Sequence, residues 1–153
     1  MSSELEDFDT TPMVRLLGLG FDAFTTELND RIHATEFSDL RAGHGCVFGN
    51  IDPEGTRLTD LAERAFMTKQ SVGEAVSDLE KRGYVERVPD PSDGRAKIIR
   101  LTERGREAQA VGFQIIDDIE QEWAERYGAD RIAALREALE LVTAERLGAV
   151  AVG

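Results

Sequence analysis

The sequence predicts a mainly α-helical protein with one small β-hairpin, and three observations carry that expectation. Apolar residues recur at helical spacing through three long stretches. A run of alternating residues folds back around a turn-rich segment between residues 84 and 101. Two shorter amphipathic segments, separated by three residues, stand immediately before it. Two helices, a hairpin and a further helix, in that order, predict a winged helix-turn-helix flanked by longer helices.

Taken in order, Thr11-Pro12 is a cap followed by proline at the first helical position. Val14, Leu17, Phe21, Phe24, Leu28 and Ile32 then recur at three and four, predicting a long amphipathic helix. A shorter helix is expected over about Ser38 to Phe48, weakened by Gly43 and Gly45, before the turn from Asn50 to Gly55. Leu58, Leu61, Ala62 and Ala65 form the apolar face of the next helix. Val72, Ala75, Val76 and Leu79 form that of its successor. Thr59 and Thr68 stand where a hydroxyl can cap each start, and Ala65-Phe66-Met67 makes the turn between them. Lys81, Arg82 and Gly83 close the second of these helices, with basic charge in the last turn and a glycine after it.

Tyr84 to Val88 alternates as a strand, and Lys97 to Leu101 supplies its partner. Asp90-Pro91-Ser92-Asp93-Gly94 lies between them, and its Asp-Gly pair is the strongest short hairpin signal. Thr102 caps a helix of about 25 residues that carries Val111, Ile115, Ile119, Trp123 and Tyr127 and stops at Gly128. Ile132, Leu135, Leu139 and Val142 stripe the last helix, ahead of a small apolar tail from Gly148 to Gly153.

Length and charge bound what such a chain can do. With 153 residues it carries one domain, or a small lobe sharing its core with a second one. The net charge of −12 has the wrong sign for a nonspecific nucleic-acid binder. The charge is unevenly spread: residues 57 to 107 hold 11 Lys and Arg against 10 Asp and Glu, so nearly all the acidity lies elsewhere. No apolar run approaches a membrane span, and the acidic N-terminal MSSELEDFDT is unlike a signal peptide, so a cytoplasmic location is expected. The single cysteine, Cys46, rules out an internal disulfide or a CxxC pair.

The segments LTDLAERA, TKQSVGEAVSDLEKRGYVER and DPSDGRAKIIRLTERG resemble the MarR family of bacterial transcriptional regulators. The spacing DP-x-D-x-R followed by LT-x-x-G carries most of the specificity, and weaker similarity extends over residues 11 to 149. The resemblance implies a homodimeric, ligand-responsive transcriptional repressor or activator that reads a short palindromic operator. It divides the chain into a helical dimerisation region, residues 1–35 and 106–153, and a DNA-binding lobe, residues 36–105. The apolar surface of the long helices exceeds what so small a lobe could cover, which also favours a second subunit over a monomeric bundle.

A two-fold dimer of this kind places its second helices in successive major grooves about 34 Å apart. Thr68, Lys69, Gln70 and Ser71 open that helix: glutamine can pair bidentately with adenine, while lysine and the hydroxyls suit phosphate or guanine. Arg95 and Lys97 stand at the wing, where the resemblance puts the arginine in the minor groove, with Asp93 orienting it or closing the turn. Arg57 and Thr59, at the start of the first reading helix, complete the candidate DNA-facing set with Glu74. Each has a plain alternative: Thr68 as a cap, Lys69 and Gln70 as ordinary surface, and Arg95 paired with Asp90 or Asp93. Gly73-Glu74 departs from the family pattern. The glutamate could accept from cytosine N4 or merely repel phosphate, and the glycine, costly in a helix by up to about 1 kcal/mol, could serve close approach to DNA or to the preceding helix.

Neither histidine, His33 or His44, falls in a catalytic or nucleotide-binding motif, so no enzyme activity and no cofactor is expected. His33, Glu36, His44 and Cys46 are near in sequence but match no dedicated zinc spacing, and no metal is assigned. Cys46 is expected as a small buried hydrophobe rather than a redox sensor. By resemblance, a small-molecule effector such as an aromatic acid would bind between the reading lobe and the helical region, with His44, Phe48 and Phe113 as candidate lining. Net acidity and Glu74 keep a second reading open: a winged-helix protein-interaction module without specific DNA binding.

Overall fold

A computed structural model describes residues 11–152, with side chains described as far as residue 148. The acidic decapeptide behind the signal-peptide argument, and Gly153, lie outside the described residues. The elements run α1 (Met13–His33), a 3-10 turn (Ala42–His44), α2 (Gly45–Phe48), α3 (Leu58–Ala65), α4 (Lys69–Lys81), β1 (Val85–Asp90), β2 (Asp93–Leu101), α5 (Glu103–Tyr127) and α6 (Ala129–Val152). This is the mainly helical winged helix-turn-helix that the pattern predicts, with a two-stranded antiparallel wing.

The core lies in the reading lobe. Leu61 of α3, Val72, Val76 and Leu79 of α4, Val47 of α2, Tyr84 and Ile99 are almost fully buried together. Each such side chain contributes about 1.5–3 kcal/mol through removal from water. Leu101 and Ala108 extend the cluster into the start of α5, while Ile32 and Val111 pack against it from the long helices. Thr56 adds a one-residue rung to the wing, with Thr56 N donating to Ile99 O at 2.9 Å and Ile99 N to Thr56 O at 2.8 Å. That rung needs glycine beside it: Gly55 has φ +112°, and a Cβ there would stand 2.8 Å from Ile98 Cδ1.

Several local expectations are corrected. The helix predicted over about Ser38–Phe48 shrinks to one 3-10 turn and one α turn, because Arg41 is extended at φ −123° and ψ 160° and glycines flank His44. Thr59 caps nothing: Arg57 occupies the N-cap position and Thr59 is already the second helical residue of α3. Pro12 is likewise the N-cap of α1 rather than its first helical residue. Asp93-Gly94 opens β2 instead of forming the hairpin tip, which is Pro91-Ser92, and Asp90 pairs with Asp93 across it. The segment from Gly148 to Val152 continues α6 rather than forming a tail.

α1 packs along α5, and α6 folds back on α5 after Gly128, whose φ of +105° permits the reversal. Phe24 meets Trp123 edge-on at 5.3 Å, and Arg31 ties the two helices through Glu122. Among the described residues, no helix is long and apolar enough to cross a membrane.

Candidate nucleic-acid interface and the cavity behind it

The turn between α3 and α4 sets how α4 is presented. Phe66 takes the left-handed conformation at φ 53°, which ends α3, and Met67 N donates to Ala62 O at 3.1 Å. Thr68 then starts α4: its Oγ1 accepts from Ser71 N at 3.1 Å and donates to Ser71 Oγ at 2.8 Å. Val72, Val76 and Leu79 turn inward, which leaves Lys69, Gln70 and Glu74 exposed on the opposite side with Gly73 and Ser77 between them. Among the described residues, the side chains of Lys69, Gln70 and Glu74 make no hydrogen bond or ion pair.

The same surface carries residues outside the DNA-facing set expected from the sequence. Lys81 and Ser77 follow Gln70 and Gly73 at helical spacing, a signal that was available. Arg87 was not legible locally, because it reaches α4 from β1, donating to Ser77 Oγ at 3.1 Å and lying 3.7 Å from Glu80.

At the wing, the carboxylate of Asp90 is a latch. It accepts from Ser92 N at 2.9 Å, Ser92 Oγ at 2.8 Å, and Arg57 at 2.9 and 2.6 Å. These bonds, the Ser92 amide first, hold its carboxyl down to about 2. Arg57 is therefore tied to the wing rather than standing free, and Asp90 takes Arg57, not Arg95, as its partner. Asp93 closes the turn by accepting from Arg95 N at 3.1 Å. The guanidinium of Arg95 and the ammonium of Lys97 are exposed and, among the described residues, form no ion pair. Both lie on the β2 face that carries Ile99 and Leu101 into the core, but beyond the core's edge. Thr59 is exposed on α3.

Behind α4 lies a mainly apolar cavity of about 540 Å³, walled by α1, α2 and α5. His44, Phe48 and Phe113, the candidate effector lining, all line it, together with Phe21, Ile32 and Met67. His44 is buried, and its Nδ1 accepts from Arg41 N at 3.0 Å, which leaves Nε2 to donate to Asp78 Oδ2 at 2.6 Å. Asp78 belongs to α4, and Arg82 first and His44 second hold its carboxyl below the usual range. The cavity wall is thus bonded directly to the exposed helix. Cys46 is half-buried, with its thiol donating to Gly43 O and its pKa pushed up by burial, the opposite of an activated thiol.

A capped helix with one bare polar face, a basic wing beside it and an apolar cavity behind it define a winged helix-turn-helix protein of the regulatory kind. Residues 39–96 match the family model described as MarR family. The chain is 32% identical over 96 residues to the transcriptional regulator HosA of Escherichia coli O111:H-, covering 62% of this chain and 71% of HosA. Its fold is similar to the crystal structure of Streptococcus pneumoniae FabT in complex with DNA, with TM-score 0.72 and 17% identity over 85% of this chain and 92% of FabT. It is also similar to CouR from Rhodococcus jostii RHA1 bound to p-coumaroyl-CoA, with TM-score 0.68 and 24% identity over 83% and 88% of the two chains. The chain belongs to the MarR family; it is a transcriptional regulator and not an enzyme.

Proposed function

We propose that the protein is a homodimeric, ligand-responsive repressor that works in the cytoplasm on an inverted-repeat DNA operator. The observation that carries this reading is the pairing of a polar row on α4 with cations on the wing, neither of which is bonded among the described residues. Lys69, Gln70 and Glu74 would enter the major groove, with the Thr68 and Ser71 hydroxyls and Arg57 and Thr59 nearer the phosphates. Arg95 and Lys97 would follow the adjacent minor groove, where negative potential is concentrated. Residues 36–105 would form the reading lobe, and residues 1–35 with 106–153 the dimerising region. Support for a second subunit comes from the long helices: Val14 and Phe21 of α1 are 78% and 73% exposed, and Leu141 and Val142 of α6 are 73% and 77% exposed.

The cavity suits an effector with an apolar body and a small polar end, held by Phe48 and Phe113 with His44 at one side. The neighbour CouR is bound to an aromatic acyl thioester, and the apolar walls here fit an aromatic acid or its derivative. An effector touching His44 and Met67 would bear on α4 at two points, through Asp78 and through the α3–α4 turn. It would release DNA if it fits the cavity better when the reading helices no longer match successive grooves.

The test is a mobility shift on the intergenic DNA beside the protein's own gene, with unrelated duplex as competitor. Retention that survives competitor and is lost in Arg95→Ala is the expected result. Retention no better than on competitor, with the variant unchanged, would favour a protein-interaction module instead.

A further inference from the structure

Gly73 weakens the helix it sits in and Glu74 faces a second acid one turn on, and nothing among the described residues accounts for either. Gly73 is mid-helix, where glycine costs about as much as any residue but proline. A Cβ at this position would meet only Leu58 Cδ2, at 3.7 Å, which is ordinary contact, so packing against α3 does not require glycine. Glu74 is exposed, and among the described residues it has no ion pair or hydrogen bond. Its neighbour one turn on is another acid, Asp78, which Arg82 and His44 keep ionised. Glycine and glutamate also share the surface on which Lys69 and Gln70 stand.

A demand from outside the chain accounts for both. A carboxylate turned towards duplex DNA is repelled by phosphates, and only a base-edge donor offsets this; in the major groove the N4 amine of cytosine suits it better than the N6 amine of adenine, whose neighbouring N7 is itself an acceptor. Reaching a base edge with a short side chain requires the helix backbone to lie deep in the groove, and a position without a Cβ next to it allows that approach. Gln70 and Glu74 are four residues apart, about 6 Å along the helix, or one to two base steps of about 3.4 Å. Building on the operator reading above, we infer that Gly73 and Glu74 form the specificity-determining pair, in which Glu74 selects a cytosine in each half-site and Gly73 keeps the helix surface bare so that it can.

The experiment is selection from a randomised duplex library with the full chain, its Glu74→Ala and Glu74→Gln variants, and Gly73→Ala. Wild-type sites should carry a C·G pair at one fixed position per half-site. Glu74→Ala should relax that position alone, losing about tenfold discrimination, and Glu74→Gln should shift it towards adenine. Gly73→Ala should melt at or above the wild-type temperature while binding the selected site about tenfold more weakly. An unchanged C·G position in Glu74→Ala, with tighter binding on every duplex, would show that Glu74 only repels phosphate and overturn the inference. Wild-type affinity in Gly73→Ala would remove the glycine from it. A wild type that enriches no sequence would instead defeat the operator reading itself, and this inference with it.

Discussion

A Cβ at Gly105 would stand 2.0 Å from the Tyr84 carbonyl oxygen, which already accepts from Thr102 N at 3.0 Å. The first turn of α5 is thereby pressed against the end of the α4–β1 connection, and no rotamer can relieve a backbone clash. Gly105→Ala is expected to cost at least about 2 kcal/mol in urea unfolding; a loss below about 0.5 kcal/mol would mean that the two segments separate freely. The two threonines separate cleanly as well. Thr68→Ala should cost about 1 kcal/mol through the lost cap, whereas Thr59→Ala, at an exposed non-capping position, should stay within about 0.5 kcal/mol. Equal losses at both would contradict the assigned helix starts. The glycine of LT-x-x-G was visible in the sequence as spacing, yet its reason is a tertiary contact with Tyr84 that no local pattern contains. Thr59 misled because threonine before an apolar periodicity signals a cap, while the extended residue turned out to be Arg57, two positions earlier.

Among the elements, the wing tip is latched to the start of α3 by the carboxylate of Asp90. Asp90 sits near 2 in the folded chain against an ordinary 3.8, so its contribution is fully present above about pH 4 and is lost as pH falls through about 2. The melting temperature of the wild type should therefore exceed that of Asp90→Asn by a constant amount between pH 5 and 7, and the gap should close as pH falls through the range from about 4 to about 2. A gap independent of pH would show that the latch is not ionic. The hairpin was legible from its turn-rich segment and flanking alternation. Its tip was not, because Asp90 and Ser92 form their own side-chain turn and draw the reversal forward to Pro91-Ser92, leaving Asp-Gly in the strand. The short helix after α1 was overextended for a related reason: an apolar residue such as Leu40 is buried there by irregular backbone, which hydrophobic spacing alone cannot distinguish from helix.

At the scale of the whole molecule, apolar surface and charge are both distributed unevenly. The reading lobe buries its core, whereas α1 and α6 leave Met13, Val14, Phe21, Leu141 and Val142 largely open. Sedimentation should give a dimer, and Leu141→Glu combined with Val142→Glu should dissociate it while helical content is retained; a wild type that sediments as a monomer would contradict the proposed assembly. The order of elements and the family were legible because periodicity, caps and motif spacing are local. The His44–Asp78 bond, the Arg57–Asp90 latch and the place of Arg87 beside α4 were not, since each joins residues at least ten apart in sequence.

Specific reading of duplex DNA by α4 and the wing is tested most directly by titrating the protein onto its selected operator at several salt concentrations, for wild type and Arg95→Ala. Wild-type affinity should fall steeply with salt and exceed that for unrelated duplex at every concentration, and Arg95→Ala should bind more weakly with a slope shallower by about one. Equal affinity for operator and unrelated duplex, with an unchanged slope in Arg95→Ala, would contradict it.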